Sequence, residues 1–169
     1  MSYTFADHLH NYSIWTAARA VQRGWKGAKT INIKKAIEST ELKDIESNLH
    51  ILDLSDFDNF HRLIAHKIID SFKGMGIITS YGRAAKIIAI YLKTSIVIHD
   101  SGISHISRQA HPPIDNILLT KLDSMYPKFG FKGIKWTQLT EEKYFTIISK
   151  LRTLNLDAFW KVEEFWYPE

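Results

Sequence analysis

The chain has 169 residues, 45% hydrophobic and 24% charged, a composition that excludes a disordered tail and fits one globular domain with a sizeable core. It contains no cysteine, so disulfides, thiolate nucleophiles and zinc–thiolate sites are excluded. Its net charge of +4 favours polyanionic partners through Coulomb attraction and counterion release.

The first residues, Met1-Ser2-Tyr3-Thr4-Phe5-Ala6-Asp7-His8, have neither the basic start nor the apolar run of a signal peptide. The longest apolar stretch, 84–98, is broken by Lys86, Lys93, Thr94 and Ser95 and is too short to cross a bilayer. The expectation is a cytoplasmic protein with no membrane association, a monomer, and a single domain over 1–169.

In chain order, Ile14, Ala18 and Val21 mark the apolar stripe of a first helix over 5–23, which Trp25 extends past a stop at Gly24. Residues 30–39 and 40–46 are short helical candidates with polar caps. Ser55-Asp56-Phe57-Asp58 reads as a capping-box-like start, with Asp in the place of the usual Glu or Gln. The helix it opens carries Phe57, Phe60, Ile64, Ile68 and Phe72 on one face. Lys73-Gly74-Met75-Gly76 ends it, because glycine takes the left-handed conformation that closes helices.

Residues 80–98 are apolar nearly all round, the mark of a central buried helix. Its β-branched end, Ile96-Val97-Ile98, predicts fraying into extended chain. A polar loop, 99–112, follows. Pro113 suits a first helical position, and Ile114, Ile117, Leu118, Leu122 and Met125 form the stripe behind it. After an irregular stretch, 127–135, two helices close the chain. The first, 141–154, has Tyr144, Ile147, Ile148, Leu151 and Leu154 on its stripe; the second covers 157–166. Strand alternation is scarce. The fold class is all-α, with about seven to nine helices, either in one piece or as two lobes flanking a cleft.

The chemistry concentrates in 78–122. Ile78-Thr79-Ser80-Tyr81-Gly82-Arg83-Ala84-Ala85-Lys86 joins a tight turn to the buried helix. The first amides of a helix lack internal partners, and the helix dipole adds positive potential, so this is a place for an anion. Arg83 and Lys86 would add charge-assisted hydrogen bonds. The second element is Ala110-His111-Pro112-Pro113-Ile114-Asp115. Here two prolines aim a carboxylate, Asp115, that the next helix start keeps ionised. Each element also has a structural reading, as a plain helix start and as an ordinary helix-capping aspartate.

Together the two elements resemble the helix-hairpin-helix superfamily of DNA glycosylases. The family hairpin runs hydrophobic-Pro-Gly-hydrophobic-Gly-Arg-x-Thr-Ala and grips a DNA phosphate through backbone amides. A Val-Asp or Ile-Asp at the next helix start supplies the catalytic carboxylate. In this chain Gly82 and Arg83 match directly, Ser80 stands at the first hairpin glycine, and Asp115 falls in Pro113-Ile114-Asp115. The chain departs from the pattern at Thr79 (for proline), at Ser80 (for glycine), at Lys86 (for a small alanine) and in its longer loop, 99–112.

The resemblance implies a DNA contact made by Ser80, Tyr81, Gly82, Arg83 and Lys86, and a catalytic Asp115. Ala84 stands where bifunctional members carry a nucleophilic lysine, which implies a monofunctional enzyme acting on DNA with a modified base. Lys86 is two residues further on, about 200° around the helix, and is a poor substitute nucleophile. Asn11, Tyr12, Trp15 and Arg19 of the first helix, with His111 at the rim, are candidates for the base pocket. The structural reading of the same residues is that Tyr12 and Trp15 anchor the core and Arg19 snorkels.

No cofactor is expected. No metal is expected either, since His61 and His66 are five apart and His99, His105 and His111 lack a carboxylate partner at ligand spacing. Phe159, Trp160, Phe165, Trp166 and Tyr167 are expected to pack the last helix onto the core. On a 3.6-residue wheel Trp160 and Trp166 lie too far apart to be equally buried, which leaves one for the surface. A non-catalytic DNA-binding module using the same hairpin, or a helical protein-interaction domain, are the alternative readings.

Overall fold

The computed structural model describes residues 2–45 and 57–167, and every regular element among them is helical. The α-helices are α1 (Phe5–Val21), α2 (Thr30–Glu38), α3 (Phe57–Gly74), α4 (Tyr81–Leu92), α5 (His105–Gln109), α6 (Asn116–Met125) and α7 (Glu141–Arg152). Short 3-10 segments lie at Pro127–Phe129, Trp136–Gln138 and Phe159–Phe165, and a π turn at Lys93–Val97 extends α4. The all-α class stands. No described helix is long and apolar enough to cross a membrane.

Helix α4 is the axis of the molecule. Ten of its 12 residues are buried, among them Ala84, Ala85, Ile87, Ile88 and Leu92, so no face is left for water. Burial of each isoleucine contributes about 1.5–3 kcal/mol before conformational entropy is counted. Helices α1, α3 and α7 pack against α4, and α2 lies on α1 and α3. The buried apolar residues among those described form a single cluster from Ile14 to Val162.

Local sequence explains the helix limits. Helix α1 opens on a reciprocal capping box: Thr4 Oγ1 accepts from the Asp7 amide at 3.1 Å, and Asp7 Oδ2 accepts from the Thr4 amide at 3.0 Å. The expected face of α3 is the one buried, with Phe57, Phe60, Ile64, Ile68 and Phe72 all in the core. Ser55 and Asp56, the expected opening of its cap, lie outside the described residues. Helix α3 closes on Gly76 at φ +71°, with the Ile77 amide bonded to Phe72 O at 2.9 Å and the Gly76 amide to Lys73 O at 2.9 Å. Only a left-handed residue closes both bonds, and glycine takes that conformation without strain.

Four expectations change. Residues 40–45, expected to begin a short helix, form a bend and turns. Ile96-Val97-Ile98 does not fray; the helix widens into the π turn, and the Ile98 amide reaches Lys93 O at 2.9 Å. Thr94 and Ser95 explain the widening, because their hydroxyls donate to Ile90 O and Tyr91 O at 2.9 and 2.8 Å and compete for the helix carbonyls. The loop 99–112 contains a short helix, α5, capped by Ser104 Oγ, which accepts from the Ser107 amide at 3.1 Å. The last element is a 3-10 segment, Phe159–Phe165, and not an α-helix.

Candidate functional site

The head of α4 is already occupied by the protein itself. Ser80 caps the helix: its Oγ accepts from the Arg83 amide at 3.2 Å and donates to Thr137 O at 2.7 Å. The Gly82 amide donates to Leu139 O at 3.1 Å. The backbone of 136–139 therefore sits where free amides were expected to receive a phosphate. Gly82 matters for a different reason. A β-carbon there would lie 2.0 Å from Trp136 O and 3.0 Å from Leu139 Cβ. Gly82→Ala is expected to lower stability by about 1–3 kcal/mol, read as a drop in the denaturant midpoint, because a backbone carbonyl must move to admit the methyl group. An unchanged midpoint would contradict this packing.

The other expected DNA-contact residues divide. Tyr81 turns inward, its hydroxyl 3.1 Å from His61 Nδ1. Arg83 is half-buried with its guanidinium 5.1 Å above the Trp25 ring, and its Nε and Thr79 Oγ1 have no partner among the described residues. Lys86 does not face solvent: its side chain is 8% exposed, and its Nζ lies 3.1 Å from Asp115 Oδ2 and 4.4 Å from the centre of the Trp136 ring. Lys86 is one turn beyond Gly82 on the same helical face. Its ammonium is thus turned to Asp115 and not outward to the expected phosphate.

Asp115 is the N-cap of α6 and not a first-turn residue. Its backbone is extended (φ −147°, ψ 177°), which lets Oδ1 accept from the Leu118 amide at 3.0 Å; Pro112 and Pro113 lie ahead of the helix. Oδ2 accepts from Lys86 Nζ and from Trp166 Nε1, each at 3.1 Å. The Asp115 side chain is 15% exposed. Burial pulls the Lys86 ammonium below its usual pKa, and Asp115 opposes that shift.

Beyond Trp166 lies a cleft of about 840 Å³, lined by Trp160, Trp166, Glu163, Lys93, Val97 and Gly102 with their neighbours. Its aromatic wall comes from the last 3-10 segment and its cap. A 3-10 helix repeats every three residues, so Trp160 and Glu163 fall on one face. Trp166, the extended cap residue that follows, lines the same cleft while lying at the surface, as one of the two tryptophans was expected to. Trp160 Nε1 donates to Gly102 O at 3.4 Å. Lys93 pairs with Glu163. Burial raises the Glu163 carboxyl pKa, the nearby Asp115 charge adds to that rise, and Lys93 opposes it. Asp115 does not itself line the cleft; it stands directly behind the Trp166 indole. The sequence reading missed Glu163, Lys93 and Trp136. For Glu163 the available signal was the three-residue spacing of Trp160, Glu163 and Trp166.

The expected base pocket does not assemble. Asn11, Tyr12, Trp15 and Arg19 share the outer side of α1, where Tyr12 is 52% and Trp15 47% exposed, so neither aromatic ring is a core anchor. Their rings stack at 5.8 Å, and the Arg19 guanidinium is 5.9 Å from the Trp15 centroid. No hydrogen bond, ion pair or ring contact joins these four to Asp115 or His111 among the described residues.

His111 is not a rim residue but lies in the core, at the centre of a buried polar chain. Its Nε2 is 3.0 Å from Asp58 Oδ1 and its Nδ1 3.0 Å from the Tyr144 hydroxyl. That hydroxyl is 3.4 Å from His61 Nε2, and His61 Nδ1 reaches Tyr81. One direction of donation satisfies every member with both histidines neutral: Tyr81 to His61, His61 to Tyr144, Tyr144 to His111, His111 to Asp58. Arg152 closes the chain with two 2.7 Å bonds to Asp58. The network ties α3 and α7 to the start of α4 and to the approach of Asp115.

No group of three or more His, Asp or Glu side chains among the described residues could hold a metal ion. No family model, curated protein or solved structure matches this chain.

Proposed function

We propose that the protein is a DNA glycosylase that hydrolyses the N-glycosidic bond of a modified base, with Asp115 as the catalytic carboxylate. The observation that carries the reading is the Lys86–Asp115 contact, which sets the carboxylate against α4 one turn from Gly82 and beside a tryptophan-lined cleft. An extruded nucleotide costs about a few kcal/mol of lost stacking and pairing, and aromatic walls recover part of it. In this chain Trp160 and Trp166 are the walls, and Glu163 is the group placed to hydrogen-bond the edge of the base. Entry of the sugar displaces the Trp166 indole from Oδ2. Asp115 then stabilises the positive charge that grows on the sugar, or takes a proton from the attacking water. Lys86 keeps the carboxylate in place.

The test is incubation with a panel of duplexes bearing modified bases, followed by alkali to reveal abasic sites. Activity on at least one member is expected, and Trp160→Ala or Trp166→Ala is expected to weaken it by about the 1–3 kcal/mol that a base–aromatic stack supplies. With Ala84 buried in the core, no covalent enzyme–DNA adduct is expected on borohydride treatment. An adduct lost in Lys86→Met would assign the chemistry to Lys86 instead.

A non-catalytic DNA-binding module is favoured by one observation: both Asp115 oxygens are engaged, one by the α6 cap and one by Lys86 and Trp166. It expects salt-dependent binding and no base release from any duplex of the panel.

A further inference from the structure

We infer that the groove between the loop 131–139 and α7 is the track for a nucleic-acid phosphate backbone; this rests on the DNA-directed part of the reading above and not on base excision. Lys132, Lys135, Lys143 and Lys150 line a groove of about 580 Å³ in which no carboxylate takes part. Lys132, Lys135 and Lys143 are exposed, and Lys150 is half-buried, its Nζ donating to Phe129 O at 2.6 Å. None of the four has an ion-pair partner among the described residues. Lys34, Lys67, Lys86, Lys93 and Lys161 each face a carboxylate, whereas Lys29, Lys35 and Lys43 on and around α2 form no ion pair among the described residues and serve as the comparison set below.

The loop that carries two of these lysines is fixed by Asp123, whose Oδ1 accepts from the Phe131 and Lys132 amides at 2.8 and 3.0 Å. Asp123 thus holds the backbone of the loop and forms no ion pair with these lysines. Four like charges held along one groove repel each other, and a polyanion relieves that repulsion while releasing its own counterions. Lysine is a point charge on a flexible stem, suited to a row of phosphates more than to one anion held bidentately. Gln138, also in the groove, adds a neutral donor. The same loop continues into Trp136, whose ring lies 4.4 Å from Lys86 Nζ, so the groove and the Asp115 site share one piece of backbone.

The experiment is fluorescence anisotropy of the full chain with a labelled, undamaged duplex at rising salt. Lys132→Glu, Lys135→Glu and Lys143→Glu combined are expected to weaken binding roughly tenfold or more and to flatten the log–log salt slope by about 3. The same reversal at exposed Lys29, Lys35 and Lys43 on and around α2 is expected to change little. Equal loss in both sets, or loss in neither, overturns the groove. Lys→Gln at the same positions supplies a second reading should the reversed variant fail to fold. Inorganic tripolyphosphate that binds more tightly than the duplex would assign the lysines to a free polyphosphate and also overturn the inference. The duplex carries no modified base, so its binding is read without any base release. Loss of base release and loss of groove binding are therefore separate readouts.

Discussion

Asp115→Asn is expected to cut base release by about a hundredfold or more, the scale of a lost general base or charge-stabilising group. Asparagine is as good an N-cap as aspartate, so the bond from the Leu118 amide to the side chain and the start of α6 survive. What disappears is the negative charge. Lys86, 8% exposed, then keeps only a neutral acceptor, and the expected stability cost is about 2–3 kcal/mol. Activity is therefore compared below the melting transition of the variant, followed by circular dichroism. A folded variant with undiminished base release would remove Asp115 from the chemistry.

Stability is expected to fall steeply as pH drops below about 6.5, the ordinary histidine value. His61 and His111 are both fully enclosed, and burial holds each below that value, His111 despite the opposing pull of Asp58. Above 6.5 both histidines are neutral whether the chain is folded or not, and their contribution is complete. Below it the unfolded chain takes up protons that the folded core refuses. The unfolded state thus gains up to about 1.4 kcal/mol per pH unit for each histidine. His10, also buried and lowered, adds to the slope. Asp58 acts in a separate, more acidic window, because Arg152 and His111 hold its carboxyl below the usual carboxylate range. Urea midpoints at a series of pH values measure the effect. His61→Phe is expected to flatten the dependence, and a stability that stays level from pH 7.5 to 5.5 would contradict neutral buried histidines.

The elements legible in the sequence are those whose burial leaves a period. Helices α3 and α7 show an apolar stripe with a polar back, and α4 lacks any polar face because neighbours surround it. Short elements escaped. Helix α5 has too few turns to display a stripe and is held by Asp100, whose carboxylate accepts from Ser104 and Ser107. The last segment was read with the wrong period, and that one error hid the shared face of Trp160 and Glu163. Gly82 stands out in the sequence through the Gly-Arg pair, but what requires a glycine there is the chain's own Trp136–Leu139 backbone. A tertiary neighbour 57 residues along the chain, such as Thr137 to Ser80, leaves no local mark. His111 and Lys86 were misread for the same reason, since their partners Asp58 and Asp115 are distant in sequence.

The most direct measurement is mass spectrometry of what the unaltered protein releases from a duplex carrying a modified base. The expected product is the free base, in one-to-one ratio with abasic sites, with the strand intact until alkali is added. Release of a nucleoside or nucleotide, or of nothing from a duplex that the protein demonstrably binds, would contradict a hydrolysed glycosidic bond at Asp115.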